Sequence, residues 1–546
     1  MDDLSDTPNA SDPGPMVGLT ALDPAAARKL FDQLMGLEAP AKVRADEAIN
    51  RLGLLVDLAF EFDEEAGTDC ALEWAEVVAA RDDLSEVQTA LFQYVWANAW
   101  GGRQHRRHRD ADVAWAWDQP ELARQILHLR TALHSPGFDQ LDRMRRCQIL
   151  TNLANILNTT GRFVEALDLW ARALIVDRLF WEAQGNRAHA LLHYSDAIYD
   201  DGHRGVFLVA AYDGLTQTLA DEADHDPNGH PAALAHFRDL HERLEDQFDI
   251  DELRTGFDRD RHSLGRGKTE VSYRRWVLRE RLFLNPLNDI GPDPIAANDV
   301  LSLPSFRLPF DEPPVVIGLY NQMKQEFASA RWLLWEAMQD SGPHLSDRGV
   351  LLINTLDYPA YSLAVEKLKF AFRAAYSIFD KIGFFLNHYL RIGEKPAAVD
   401  FRRIWKGKDQ ALRPVFEGAT NLPLRGLYWL SKDLYEEQGE RLDPDVRALK
   451  ELRNHLEHRY VKVHEMGPIP ASIGGRDPFA DTLALSISRS DFQAKTLRVV
   501  KMARAALIYL SLGMQAEERR REAADGDDER LTGPMVLPTV RDDWKW

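Results

Sequence analysis

Four polar residues in the last fifth of the chain have types and spacing suited to acid–base chemistry on a phosphodiester. Arg453, Asn454, His458 and Tyr460 form an R-N-x-x-x-H-x-Y pattern within the stretch ELRNHLEHRYVKVH. A histidine titrates near neutral pH, so His458 could take a proton from a ribose 2′-hydroxyl or give one to the leaving 5′-oxygen. The Arg453 fork could bind the scissile phosphate and offset its developing charge. Such a transesterification needs no metal and leaves a 2′,3′-cyclic phosphate and a 5′-hydroxyl.

The helix that must position these residues is predicted to begin at Asp443, as the N-cap, and Pro444, and to run through Tyr460. At roughly 100° per residue, three leucines share one face and the polar residues lie on the other side. The leucines are Leu449, Leu452 and Leu456. Arg453 and His458 are separated by roughly 140° around the axis, so one helix would use the pair awkwardly. Two such helices meeting across a two-fold dimer axis could supply two arginines and two histidines to one groove.

Two other interpretations of the same residues remain open. Arg453 and Glu457 could form an ordinary i,i+4 ion pair on a solvated face, with His458 as a surface histidine. Alternatively, His455, His458 and His464 could bind zinc together with Glu457. The H-E-x-x-H spacing of zinc proteases is absent, so no metal or other cofactor is expected.

The pattern resembles the motif of the HEPN superfamily of helical bundles, whose late helix carries R-x4-6-H. A polar residue often follows the arginine in that family, the place that Asn454 takes here, and some toxin members end in H-x-Y, as in His458-Arg459-Tyr460. Tyr361–Gly393 looks like the long first helix of such a bundle, and Asn421–Glu437 looks like a second. The phrases FLNPLNDI, YNQMKQEFASARWLLWEA and INTLDYPAYSLAVEKLKFAF also resemble a bacterial HEPN branch that carries tetratricopeptide-like helices ahead of the bundle. The likeness covers roughly residues 273–512.

This resemblance implies a dimeric, metal-independent endoribonuclease with a toxin or antiphage role. It implies general acid–base work for His458, phosphate binding for Arg453, and orientation of the histidine or the phosphate for Asn454. Tyr460 would be an accessory or regulatory position, because in toxin relatives that tyrosine can be adenylylated by a separate nucleotidyltransferase. The alternatives are a catalytically inactive scaffold, or a protein that binds nucleotides or RNA without cleaving it.

Upstream, Thr151–Asp177 resembles a tetratricopeptide repeat (TPR) nearly position for position. Ala154 stands where close helix packing demands a small residue, Gly161 makes the turn, and Ala188 takes the role of Ala154 one 34-residue period later. Solenoids of this kind usually present a concave face to a partner, so a protein partner or trigger is expected there. The predicted organisation is all-α, in five parts. These are a disordered N-terminus (1–24), TPR-like repeats (25–245), a proline-containing structured connector (246–345), a HEPN-like bundle (346–515) and a mobile C-terminal tail (516–546).

The formal charge of −20 argues against a general nucleic-acid coat, because such binding depends on neutralising phosphates. Two local basic clusters could still contact RNA, and their residues are Arg106, Arg107, Arg109, Arg266 and Lys268. Only two cysteines are present, so no disulfide framework is expected. The acidic N-terminus lacks the features of a secretion signal and no long apolar run occurs, which predicts a cytoplasmic protein without a membrane span.

Overall fold

The structure is a computed structural model that describes most of the chain. The described residues are 23–107, 109, 116–220, 231–309, 313–340, 342–418, 420–435, 442–465, 481–524, 532–534 and 539–545. They are mainly helical, with two small two-stranded sheets, and the all-α prediction is confirmed. The disorder predicted for residues 1–24 falls almost wholly outside the described residues. None of the described helices is both long and apolar enough to cross a membrane.

The N-terminal part is a succession of helical hairpins. Its helices are α1 (Pro24–Met35), α2 (Ala45–Glu61), α3 (Glu65–Ala79), α4 (Glu86–Arg107), α5 (Pro120–His134), α6 (Arg143–Thr159), α7 (Phe163–Val176), α8 (Trp181–Ala197), α9 (Asp201–Leu219) and α10 (Pro231–Gln247). Consecutive helices pack against each other, α6 on α7 and α8 on α9. Ala154 and Ala188 are fully buried where a small side chain lets helices approach. These hairpins fit the predicted TPR-like repeats.

A less regular part follows the hairpins and leads to a long helix. Its elements are α11 (Ile250–Thr255), α12 (Lys268–Arg279), α13 (Leu287–Ile290), β1 (Arg307–Pro309) and α14 (Val315–Gln339). The proline-rich sequence between α12 and α14 allows only short elements, since proline cannot donate a backbone hydrogen bond. Helix α14 packs along the first helix of the bundle.

The C-terminal part is a helical bundle with a small parallel sheet. Its elements are α15 (Leu363–Tyr389), α16 (Leu422–Ser431), α17 (Val446–His458), β2 (Tyr460–His464), β3 (Ala484–Ser488) and α18 (Arg489–Ala524). Helices α15 and α16 lie inside the two segments expected to be helical. Helix α18 continues into the predicted tail, and β4 (Thr532–Pro534) pairs with β1 in antiparallel register. The predicted domain boundaries remain predictions.

Most of the hairpins share one continuous hydrophobic core with the bundle, and α10 packs on α8 and α9 in a second, smaller cluster. Gly161, in the turn between α6 and α7, has a φ of +88°, and a Cβ there would meet the Leu422 carbonyl oxygen at 2.2 Å. A Cβ on Gly426 would in turn meet the Gly161 oxygen at 2.2 Å. The turn of a repeat and the backbone of α16 are therefore in direct contact, and both positions require glycine.

Candidate functional site

Helix α17 carries the central residues of the site, and its orientation follows from its leucines. Leu449, Leu452 and Leu456 are buried. Because these side chains hold one face of the helix on the bundle, Arg453 is half-buried, while Asn454 and His458 are exposed. The predicted division between a core face and a polar face is confirmed.

The predicted start of this helix is wrong by a few residues, for a tertiary reason. Helix α17 begins at Val446, with Asp445 as an N-cap whose side chain makes no capping bond. Asp443, the predicted N-cap, is buried, where it lies 3.3 Å from Arg130 and also pairs with Arg498. Its carboxylate accepts the backbone N–H of Asp445 instead of those of the first helical turn.

The predicted end of the helix is also wrong, because the chain turns into a strand after His458. Tyr460 begins β2, which pairs in parallel with β3 through Tyr460 and Ala484. The tyrosine is therefore held by the sheet and not by the helix that carries Arg453.

Arg453 lies over an aromatic ring of the first bundle helix. Its guanidinium carbon is 5.6 Å from the centre of the Tyr376 ring, which is a cation–π distance. Burial raises the pKa of nearby Asp380, and the positive charge of Arg453 opposes that rise. Helix α15 therefore contacts the arginine through an aromatic ring, and among the described residues no carboxylate pairs with the guanidinium.

The ion pair between Arg453 and Glu457 considered above is not formed. Glu457 lies 3.6 Å from Arg373 of α15 instead. Within the described part of the chain, no carboxylate lies at ion-pair distance from Arg453. Arg373 was missed in the sequence, where nothing connects it to α17. It adds a second guanidinium beside the polar face.

Asn454 and His458 are four residues apart, so they lie one above the other on the exposed side of α17. Arg453 and His458 are separated by an axial rise of about 7.5 Å as well as by their angle around the helix. One copy of α17 therefore brings Asn454 next to His458 and leaves Arg453 to one side.

Tyr460 and its neighbours form a charged cluster at the end of α17. The Tyr460 hydroxyl donates to Asp481, which lowers the pKa of that carboxyl to about 2. The same bond raises the pKa of Tyr460. Lys462 lies 2.7 Å from Asp357 and 3.2 Å from Asp481, so the carboxylates are also neutralised. The tyrosine hydroxyl is thus engaged although its ring is exposed.

The histidines considered for zinc do not form a cluster. His455 is buried, and its Nδ1 lies 2.9 Å from the Glu451 backbone oxygen. His464 is buried at the far end of β2. Across the described ranges, no three His, Cys, Asp or Glu side chains are arranged to hold a metal ion.

The two basic clusters differ in their partners. Arg107 lies 2.7 Å from Glu121, and Arg109 lies 2.5 Å from Asp63. Arg106 bonds the Thr68 hydroxyl and lies 3.8 Å from Asp63. This cluster is engaged by acidic and polar groups of its own chain.

Arg266 and Lys268 lie at the start of α12 and line an open cleft of about 640 Å³. Neither side chain has a carboxylate at ion-pair distance among the described residues. The structure therefore separates two clusters that looked equivalent in the sequence.

Buried ion pairs join the hairpins to the chain that enters α17. Asp433, which follows α16, accepts from Arg130 at 2.6 and 3.0 Å and lies 2.6 Å from Arg162. Arg130 also contacts Asp443, which pairs with Arg498 of α18. This network was not found from the sequence, because its members are far apart along the chain and no local pattern connects them.

The structure thus defines a class of architecture, a helical bundle whose exposed polar helix carries R-N-x-x-x-H and which is packed against helical hairpins. Residues 309–517 match the model of a family described as LA2681-like HEPN. This match covers α14 to most of α18, and it supports the HEPN assignment for that part of the chain. No curated protein and no solved structure matches the chain.

Proposed function

We propose that the protein is a metal-independent endoribonuclease of HEPN type that acts as a dimer. The observation that carries this proposal is the exposed polar face of α17, where Asn454 and His458 face solvent and Arg453 has no carboxylate partner among the described residues. His458 acts as general acid or base, Arg453 binds the scissile phosphate, and Asn454 orients the histidine or the phosphate. The HEPN family match supports this chemistry at the family level.

A second copy of the chain completes the site. Arg453 and His458 diverge on one helix, so two α17 helices across a two-fold axis supply an arginine from one chain and a histidine from the other. An exposed apolar segment near the site supports such an interface. Leu351 is 90% and Ile353 is 80% exposed, and further along Ala360 donates to the Val463 carbonyl of β2 at 2.7 Å. Exposed apolar surface of this kind commonly marks a protein–protein contact.

The hairpins regulate the nuclease in this proposal. The buried pairs of Asp433 and Asp443 connect the hairpins to the start of α17, so a partner bound on the repeats has a packed route to the site. The biological role would be that of a toxin or antiphage effector. Expression of wild type and His458→Ala in cells, with and without phage, tests the role. Equal growth of both strains under every condition would argue against it.

The enzymatic proposal is tested by incubating purified protein with total RNA and tRNA in excess EDTA. Arg453→Ala and His458→Ala should each lower cleavage by at least about 100-fold, the usual scale for loss of acid–base catalysis. Fragments from the wild type should end in 2′,3′-cyclic phosphates. Arg402→Ala and His388→Ala are matched controls, since both residues are exposed on the bundle outside α17. Equal cleavage by all variants that occurs only when EDTA is omitted would reject the mechanism.

The shared site has its own test, because the two inactive variants can be mixed. A heterodimer of Arg453→Ala and His458→Ala retains one arginine and one histidine, on different chains. Mixing should therefore restore part of the activity. In an equal mixture that exchanges freely, about half of the dimers are heterodimers, and each of these has one complete site. No recovery in a mixture shown to contain heterodimers would place the functional pair within one chain.

An inactive scaffold makes the opposite prediction. In that case neither wild type nor His458→Ala would cut RNA, and the substitution would change dimerisation or partner binding instead. Sedimentation of both proteins alongside the cleavage assay separates these cases.

A further inference from the structure

A cleft lined by four cationic side chains lies outside the proposed catalytic face. It is formed by the exposed side of α12 and the C-terminal end of α14, and it encloses about 640 Å³. Four cationic side chains line it, and no acidic residue is part of its lining. The cations are Arg266, Lys268, Arg275 and Arg279.

Three of these cations are available to a ligand. Arg279 lies 3.4 Å from Glu280, but the side chains of Arg266, Lys268 and Arg275 have no ion-pair partner in the described part of the chain. Glu270, on the same helix, is itself paired with Arg274 at 3.2 Å. The cleft is therefore locally positive among the described residues, although the chain as a whole has a formal charge of −20. The cleft therefore has the electrostatic character of a phosphate-binding groove.

The shape of the cleft favours a strand over a small molecule. Its floor is formed by Trp276 and Trp335, which are buried, and its cations are exposed. A small-ligand pocket usually has a few enclosed polar groups that fix one orientation. Open grooves with mobile cations are typical of sites that follow a nucleic-acid backbone.

The cleft is also connected to the α17 face through packed elements. Gln339 lines the cleft, and the next residue, Asp340, pairs with Lys367 of α15 at 2.9 Å. Lys367 precedes Arg373 by six residues, a rise of about 9 Å along the helix, and Arg373 contacts Glu457 of α17. The cleft and the α17 face therefore lie on neighbouring elements that are joined by ion pairs to the same helix, α15.

We infer that this cleft is an exosite for the phosphodiester backbone of single-stranded RNA, held by Arg266, Lys268 and Arg275. This inference rests on the proposed function for its substrate, and it adds a binding site away from the bond that is cut. The site binds without sequence preference, because its contacts are to phosphates and not to bases.

Binding is measured by fluorescence anisotropy with a 2′-O-methylated oligonucleotide of about 16 nucleotides. This probe keeps its phosphates but cannot be cut through a 2′-hydroxyl, so the result does not depend on the nuclease being active. Each phosphate contact contributes about 0.7 to the slope of log affinity against log salt. The variant Arg266→Ala/Lys268→Ala/Arg275→Ala should therefore reduce the slope by about 2. Between 50 and 200 mM salt, the wild type should lose roughly 18-fold more affinity than this variant.

The matched control removes three cations that already have carboxylate partners. Arg103→Ala/Arg243→Ala/Arg254→Ala causes the same change in net charge, but these residues pair with Asp69, Asp239 and Asp213. The control should leave the slope within error of the wild-type value. Equal slopes for wild type, cleft variant and control would overturn the inference, and so would equal losses in the two variants.

Two further experiments distinguish an RNA-binding exosite from a site for a small phosphate ligand. With cleavable RNA, the cleft variant should raise KM about tenfold or more and leave kcat unchanged, whereas a cleft variant with normal KM would overturn the exosite. Titration with inorganic triphosphate tests the other source of phosphate. The assignment to RNA would be overturned if triphosphate binds saturably and one-to-one, and if the cleft variant loses this binding while it still binds the oligonucleotide. If the wild type fails to cut RNA yet shows the predicted salt slopes, the catalytic proposal fails and the RNA site stands.

Discussion

Asp433 is expected to be one of the most sensitive positions for stability, because two guanidiniums from the hairpins depend on it. Its side chain is 2% exposed, and those of Arg130 and Arg162 are 9% and 2% exposed. Asp433→Asn keeps the shape of the side chain and removes its charge. Breaking a buried pair by removing one partner costs about 3–5 kcal/mol, since the remaining charge stays buried without full compensation. Arg130 still contacts Asp443, and Arg162 still contacts Glu165, so we expect the free energy of unfolding to fall by about 3–4 kcal/mol.

Equilibrium urea unfolding, followed by circular dichroism and by tryptophan fluorescence, measures this change where the two probes give coincident transitions. Asp69→Asn is the control, because the Arg103–Asp69 pair is exposed and such pairs contribute at most about 1 kcal/mol. A loss of less than about 1 kcal/mol for Asp433→Asn would refute the reasoning. It would mean that the buried network adds no more stability than a surface ion pair.

Three other predictions concern the joint between the parts and the end of α17. Gly161→Ala should destabilise the fold by more than about 2 kcal/mol, because φ is +88° and the new Cβ would collide with backbone atoms. Gly318→Ala is the control, since this helical glycine has open space around it and alanine should stabilise the fold by up to about 1 kcal/mol. Thermal unfolding of the two variants measures the difference. The pKa of Asp443 is lowered in the fold, so its stabilisation is present above the unfolded pKa of about 3.9 and is lost as pH falls below it. Urea midpoints should therefore decline below about pH 4, and less steeply in Asp443→Asn. Tyr460→Phe should raise the pKa of Asp481 from about 2 towards its ordinary value, and an unchanged carbon-13 carboxyl titration would contradict the hydrogen bond.

Local patterns in the sequence were sufficient to predict the exposed face of α17. The positions of Leu449, Leu452 and Leu456 determine which side packs, so the exposure of Asn454 and His458 followed from helical periodicity alone. The same reasoning gave the wrong start for the helix. Asp443 has the right residue type for an N-cap, but two arginines far away in the chain bind it more strongly than the first turn could.

The ion-pair partners of charged residues could not be predicted from their spacing along the sequence. Glu457 is four residues from Arg453, which favours an i,i+4 pair, yet it contacts Arg373 of another helix. Arg109 and Arg266 both lie in basic clusters, and only the folded chain shows that Asp63 neutralises the first. Long, flexible side chains choose among all neighbours that folding provides, and the sequence reveals only the local ones.

The Gly161 turn is constrained both by its own repeat and by the neighbouring bundle helix. A tight repeat turn requires positive φ at this position, and the sequence indicated that from the repeat pattern. The contact with Gly426 adds a requirement that no repeat pattern contains, because the turn also lies directly on the backbone of α16. Asp433 follows that helix and binds the hairpin arginines, so a tilt of the α6–α7 hairpin cannot occur without disturbing either this contact or the buried charges. A partner on the repeats that prefers a tilted hairpin would therefore act first on the chain leading into α17. The proposed regulation consequently predicts that substitutions at Gly161 change the response to such a partner even where the catalytic face is intact.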